Sequence, residues 1–276
     1  MREFLLTDKD FSEISARVYD TCGIVLGPHK REMVYSRLAR RIRANGLKSF
    51  EAYLSFLEEN QDVEFSHFIN AITTNLTSFF RENHHFEFLT KRIVPEIIAR
   101  HKHDRRVRIW SAGCSTGEEP YSIAMTIANA FPNGWDVKVL ATDLDSNVLG
   151  KASLGEYTAN NVTGLDEDKL KKWFLRSADG AMYKVKPKLQ SFIHFKRLNL
   201  LEPWPMKGPF DVIFCRNVLI YFDKETKDKL FEQYHDMLVP NGYLLIGHSE
   251  TMGKEHLEFK NLGKTIYQKG QLNERV

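Results

Sequence analysis

Cysteine is scarce: Cys22, Cys114 and Cys215 are the three in 276 residues, far apart and odd in number. No Cys-x-x-Cys pair occurs, which excludes a disulfide framework and a zinc knuckle. Reduced thiols in a cytoplasmic setting are the expectation. No apolar run approaches the roughly 18 residues of a membrane helix, so no direct membrane insertion is expected. The opening MREFLLTDKDF carries Glu3, Asp8 and Asp10 and lacks the apolar stretch of a signal peptide. There is no internal repeat and no low-complexity segment. His84-His85 and His101-x-His103 offer imidazoles, but no third and fourth ligand accompany them in sequence, and no metal is expected.

Net charge is also small, +3. It is concentrated: His29–Gly46 holds Lys30, Arg31, Arg37, Arg40, Arg41 and Arg43 against Glu32 alone. A local basic patch on an otherwise near-neutral chain points to an acidic partner. Hydrophobic residues make up 42% of the chain, enough for one large domain or two modest ones.

Two regions differ in periodicity. Up to about residue 90 the pattern is helical. Asp8 or Thr7 is placed to cap a helix through Phe11, Ile14, Val18 and Tyr19. Val34, Leu38 and Ile42 mark an amphipathic helix that Gly46 is placed to end. Ser49 caps a third helix, with Tyr53, Leu54 and Leu57 inward, and Phe65, Phe68, Ile69 and Ile72 suggest a fourth. From about Arg105 strands and helices alternate. Strands are expected at Val107–Ala112, Val137–Asp143, Phe210–Asn217, Gly242–Ser249 and Thr265–Lys269, and helices at Glu118–Phe131 and Lys224–Leu238. That order implies an α/β fold with a mostly parallel sheet. Between about Leu154 and Arg197 the alternation fails. A charged helix, an Asp179-Gly180 turn and short extended runs at Tyr183–Val185 and Phe192–Phe195 suggest a small inserted antiparallel unit.

The first strand runs into Gly113-Cys114-Ser115-Thr116-Gly117 and then a helix. Ligands of parallel sheets bind beyond such strand ends. The spacing fits neither a dinucleotide fingerprint nor a phosphate loop, because two acids, Glu118 and Glu119, follow the glycines. A cationic or hydroxyl-rich ligand suits them better than an anion. Asp143, at the end of the next strand, is placed to accept from both hydroxyls of a ribose, and with the glycine turn it favours an adenosine-containing ligand. Asn217 and Tyr221 follow the fourth strand, and Asn199 is a loop amide able to meet an adenine edge. Thr73–Arg81 joins the two regions and is dense in short polar side chains, which by themselves often only cap helices.

These residues together carry a resemblance. TTNLTSFFRENHHF (73–86), STGEEPYSIAMT (115–126), ATDLD (141–145), NLL (199–201) and FCRNVLIYFD (214–223) closely resemble the CheR family of chemotaxis receptor glutamate methyltransferases, in consistent order over nearly the whole chain. The resemblance implies an all-helical N-terminal domain (1–85) for receptor docking. It also implies a Rossmann-like S-adenosylmethionine-dependent methyltransferase domain (86–276) with an inserted β-subdomain at about 154–197. Cofactor contacts are implied for Asn75, Thr77, Arg81, Glu118, Asp143, Asn199, Leu200, Asn217 and Val218, with S-adenosylhomocysteine as product; Gly113 joins these cofactor residues from the glycine turn read above. Arg81 and Tyr221 match the pair proposed to lie beside the transferred methyl. The loop Arg176–Lys188 is a little shorter than the glycine-rich loop with which some members dock a receptor's C-terminal pentapeptide, which leaves that tether open.

On a helical wheel Lys30, Arg37, Arg40 and Arg41 fall within about a third of the circumference. The acidic methylation helices of chemoreceptors are the partner this face suits. Two rival readings are a nucleic-acid methyltransferase and a non-catalytic receptor-binding scaffold. No base-amine motif of the Asn/Asp-Pro-Pro-Tyr kind or RNA-binding module supports the first, so no nucleic-acid partner is expected. Intact Arg81, Asp143 and Tyr221 oppose the second. Nothing in the sequence demands more than a monomer.

Overall fold

The computed structural model describes residues 2–128 and 130–270. Helices α1 (Asp8–Cys22), α2 (Arg31–Ala44), α3 (Phe50–Glu59) and α4 (Gln61–Ile72) form the N-terminal unit. Thr7, not Asp8, caps α1 through a reciprocal box with Asp10, and Ser49 caps α3 as expected. The expected inward positions of α2, α3 and α4 are buried, except Phe65, which is half-buried. On α1, Phe11, Ile14 and Val18 are buried, while Tyr19 is exposed and donates its hydroxyl to Asp223 of the sheet unit at 2.6 Å.

One charge pair crosses this helical core. Arg41 Nε and Nη2 donate to both oxygens of Glu64 (2.9 and 2.5 Å), and the Tyr53 hydroxyl adds a third bond at 2.7 Å. Burial pushes the Glu64 carboxyl up, but Arg41 and Tyr53 overcome it and hold the group below its ordinary range. Its contribution to stability is therefore present above its unfolded pKa and lost as pH falls. Glu64→Ala is expected to cost about 2–3 kcal/mol in urea unfolding, because Arg41 and Tyr53 lose a shared buried acceptor. A cost under roughly 0.5 kcal/mol would show the pair to be dispensable.

The second unit opens with α5 (His84–Phe88), a π-helical turn (Leu89–Ile93) and α6 (Val94–Arg100). Then come β1 (Arg106–Ala112), α7 (Glu118–Ile127), β2 (Asp136–Asp143) and α8 (Ser146–Leu154). After them follow β3 (Glu156–Thr158), α9 (Glu167–Trp173), β4 (Phe174–Arg176), β5 (Met182–Val185), α10 (Pro187–Gln190) and β6 (Ile193–Arg197). The chain continues with β7 (Phe210–Cys215), α11 (Lys224–Met237), β8 (Leu238–Ile246), β9 (Phe259–Asn261) and β10 (Ile266–Lys269). The main sheet has the order β6-β2-β1-β7-β8-β10-β9. Strands β6, β2, β1, β7 and β8 are parallel, while β10 pairs antiparallel with β8 and with β9. Strand order reverses between β1 and β7, so the crevice for a ligand opens at their carboxyl ends.

The strand expected at Gly242–Ser249 is β8, which starts at Leu238 and ends at Ile246, and the helix expected at Glu118–Phe131 ends at Ile127; two boundaries between units also differ from expectation. The run at Phe192–Phe195 does not belong to the antiparallel unit. It becomes β6, which lies parallel to β2 with Ile193 opposite Val139 and Arg197 opposite Asp143. The small sheet is β3-β5-β4, so the insertion ends before Ile193. A short extended run does not announce its partner; register is set by which face finds a core. The helical core ends at Ile72, whereas Phe79 and Phe86 already pack into the sheet's core. Residues 79–85, expected in the helical domain, thus belong with the sheet.

Candidate active site

A cavity of about 290 Å³ lies at the reversal point, between the carboxyl ends of the strands, the 73–81 linker and the end of α1 with the loop after it. The bend after β1 requires two glycines, of which Gly113 lines the cavity. Gly113 has φ +82°, and a Cβ there would come within 2.3 Å of Val218 Cγ2. Gly117 has φ +98°, and a Cβ would meet the Tyr157 hydroxyl at 2.8 Å and Ala152 Cβ at 2.9 Å. Val218 packs against Gly113, and Gly113 and Val218 line the cavity.

Asp143 ends β2 in the cavity wall. One carboxylate oxygen accepts the Ser115 N–H (2.8 Å) and the other the Asp145 N–H (2.9 Å). Each keeps lone-pair capacity for a further donor. Burial raises this carboxyl to about 6, against those backbone bonds. Asp145 caps α8 and also gathers the linker, accepting from the Thr73 hydroxyl (2.8 Å) and Asn75 Nδ2 (2.9 Å). The Ser115 hydroxyl reaches the Asn75 carbonyl (3.0 Å), so the linker is stitched across the ends of β1 and β2.

Arg81 and Tyr221 come to the same cavity. Arg81 donates to the Leu76 carbonyl at 3.0 Å. The Tyr221 hydroxyl lies 3.4 Å from the Thr74 carbonyl, and the Lys30 ammonium sits 5.1 Å from the Tyr221 ring centroid. Burial raises the Tyr221 phenol, while Arg37 and Arg81 oppose the shift.

Nine of the ten expected cofactor residues line the cavity: Asn75, Thr77, Arg81, Gly113, Asp143, Asn199, Leu200, Asn217 and Val218. Two of their amides are already engaged. Asn75 holds Asp145, and Asn199 Nδ2 donates to the Thr21 carbonyl (2.7 Å), so the Asn199 side chain ties α1 to the sheet rather than standing free for an adenine edge. Glu118 is the exception. It is buried, accepts the Thr116 hydroxyl at 2.6 Å and does not line the cavity; Glu119 does. The two acids are adjacent, and a helix sends neighbours about 100° apart, so sequence alone did not say which faces the ligand.

The basic face divides. Arg41 is spent on Glu64, which removes it from the expected docking surface; on the helical wheel it borders the arc of Val34, next to α4. Arg37 donates to the carbonyls of Ile72 (2.6 Å) and Thr73 (2.7 Å) and fixes the linker's start. Lys30 stands at the cavity, and Arg40 is exposed.

Sequence reasoning missed several residues. Arg216 and Glu119 form a buried ion pair at 3.0 Å in the cavity wall. Glu250 collects the backbone N–H groups of Asn217 (2.9 Å), Ile220 (3.2 Å) and Gly247, shaping the loop that carries Tyr221. Glu82 meets His84 and His85, with ligand atoms within 4.8 Å of one another, a grouping that was not foreseen. Glu82 already accepts from the His248 N–H (3.1 Å) and pairs with Arg216 (3.2 Å), and burial pushes His85 down to about 4.

Comparison with known proteins now decides the family. Residues 9–73 match the CheR methyltransferase all-alpha domain, and residues 75–268 match the CheR methyltransferase SAM binding domain. The chain belongs to the CheR methyltransferase family. It is 45% identical over 269 residues to a chemotaxis protein methyltransferase of Salmonella typhimurium, covering 95% of this chain and 90% of that one. A chemotaxis protein methyltransferase of Escherichia coli is 43% identical over 269 residues, covering 95% and 91%. As a CheR methyltransferase the protein uses S-adenosylmethionine, and the cavity fits it: a half-buried carboxylate with acceptor capacity at the end of β2, a glycine bend, and walls of Ile24, Leu26, Leu144, Leu198 and Phe222. Among the described residues no helix is long and apolar enough to cross a membrane.

Proposed function

We propose that this CheR methyltransferase esterifies glutamate side chains on the methylation helices of chemoreceptors. The observation that carries the reading is that Arg81 and Tyr221 line one cavity whose two carboxylates are both already engaged. Asp143 and Glu119 are the carboxylates lining it; Asp143 is held by two backbone N–H groups and Glu119 by Arg216. An amine or hydroxyl acceptor needs a proton removed, whereas a glutamate carboxylate is already ionised at neutral pH.

Bound S-adenosylmethionine supplies an activated methyl on a sulfonium. The chain's own residues then have to hold and orient. Asp143 takes the ribose hydroxyls, and the apolar walls exclude water. Arg81 grips the incoming carboxylate through its planar fork while leaving one lone pair free to attack. Tyr221 orients the acceptor by its hydroxyl or packs its ring against positive charge, as it does with Lys30 here. Incubation with labelled cofactor and a receptor fragment is expected to give label released by mild base, the behaviour of a carboxylate ester. Base-stable label, or label on RNA instead, overturns the reading.

Lys30, Arg37 and Arg40 form the docking face beside the cavity in this reading. Arg40 has no partner among the described residues, so it is the charge most available to an acidic helix. Arg40→Glu is expected to raise the KM for receptor about five- to tenfold at low salt, with the difference shrinking at high salt. A KM that does not respond to either change removes the docking face.

A further inference from the structure

We propose that Arg216 is a positioning residue for methyl transfer: its guanidinium anchors the backbone of Arg81 and so aims the Arg81 side chain into the cavity. The inference rests on the role given to Arg81 above.

Arg216 follows the end of β7, and its side chain is 2% exposed. It donates to the Arg81 carbonyl, pairs with Glu119 at 3.0 Å and with Glu82 at 3.2 Å, and lies 5.6 Å from the Phe86 ring centroid. Glu119 is fixed in turn by the Ser111 hydroxyl at 2.7 Å. The guanidinium thus joins the ends of β1 and β7, the start of α7 and the linker at one point.

What it holds is a turn that would not hold itself. Phe80 (φ +52°) and Glu82 (φ +56°), on either side of Arg81, both occupy the left-handed region without being glycine. Such conformations persist only where the surroundings over-determine them. Beyond the turn's own Arg81 N–H to Ser78 carbonyl bond (3.3 Å), four bonds from outside it do so here: Phe80 N–H to the Ser122 hydroxyl (2.9 Å), His248 N–H to Glu82 (3.1 Å), Glu82 to Arg216, and Arg216 to the Arg81 carbonyl. Among the described residues the Arg81 side chain makes one hydrogen bond, to the Leu76 carbonyl, so its direction follows from the backbone beneath it. A planar fork serves three acceptors at fixed angles; a lysine ammonium keeps the charge but not that geometry.

A mutant cycle in the full-length protein tests this. Steady-state turnover with a receptor fragment is measured for wild type, Arg216→Lys, Arg81→Ala and the double variant, alongside S-adenosylhomocysteine titration and thermal unfolding. Arg216→Lys is expected to lower kcat about tenfold or more in the wild-type background and less than about threefold in the Arg81→Ala background. Equal losses in both backgrounds mean a merely structural role and overturn the proposal, as does wild-type kcat in a folded Arg216→Lys. If Arg216→Lys does not fold, Arg216→Met with Glu119→Gln and Glu82→Gln removes the paired charges together and enters the same cycle, with the same expected pattern. If Arg81→Ala itself keeps full turnover, the role of Arg81 has failed, and the positioning role with it. An unaffected Arg216→Lys beside a crippled Arg81→Ala sinks the positioning role alone.

Discussion

Arg81→Ala is expected to lower turnover about a hundredfold or more, with a smaller change in the KM for receptor. No proton has to be removed from a carboxylate acceptor, so catalysis reduces to holding one oxygen against the methyl carbon out of water. Of the two arginines in the cavity wall, Arg81 is paired with no carboxylate among the described residues, whereas Arg216 is committed to Glu119 and Glu82; the third cation, Lys30, packs on the Tyr221 ring. Arg81→Lys is expected to retain more activity than alanine but to stay about tenfold below wild type, because a point charge orients a carboxylate poorly. A loss under about threefold for the alanine variant would take the acceptor grip away from this residue.

Asp143→Asn is expected to weaken S-adenosylhomocysteine binding about a hundredfold by calorimetry. The amide has one acceptor oxygen where the carboxylate has two, and Ser115 and Asp145 already present an N–H to each position. The same group gives the cofactor site a pH dependence. Burial raises the Asp143 carboxyl to about 6 in the free protein. The raised value means that ionising it costs folding stability as pH rises through 6, while ribose hydroxyls favour the ionised form. Affinity should therefore be full above roughly pH 7 and fall about tenfold per unit below 6, and the asparagine variant should lose that slope. Wild-type affinity that stays flat between roughly pH 8 and 5 would remove Asp143 from the ribose.

Local chemistry was legible in the sequence wherever the cause lay within a few residues. Thr7 and Ser49 cap helices because a hydroxyl reaches the backbone three residues on. Val107–Ala112 and Val137–Asp143 are strands because short runs rich in β-branched and apolar residues stand there between turn signals, and both start one residue earlier in the structure. The glycine bend and Asp143 were readable as a pair because both stand at strand ends in one parallel sheet. Legibility stopped where the partner is distant in the chain. Arg41 looked like its basic neighbours until α4 brought Glu64 beside it. Asn199 looked like a free loop amide until α1 offered the Thr21 carbonyl. Glu250, in Gly-His-Ser-Glu, gave no signal, because its work is to bind backbone N–H groups some thirty residues back.

By itself the sequence determined the class of machine: helices followed by a parallel α/β sheet, a glycine bend with an acid on the next strand, and motifs that mark one methyltransferase family. Those properties depend on period, turn chemistry and residue identity, all carried by short segments. Only the tertiary structure decided which of two adjacent acids faces the cavity, that Arg41 of the four cations is spent on Glu64, and which strand Ile193–Arg197 pairs with. It also decided that Arg81 is held by an arginine 135 residues away. A buried charge or amide takes the nearest partner that folding delivers, and that distance is not written in the spacing of residues along the chain.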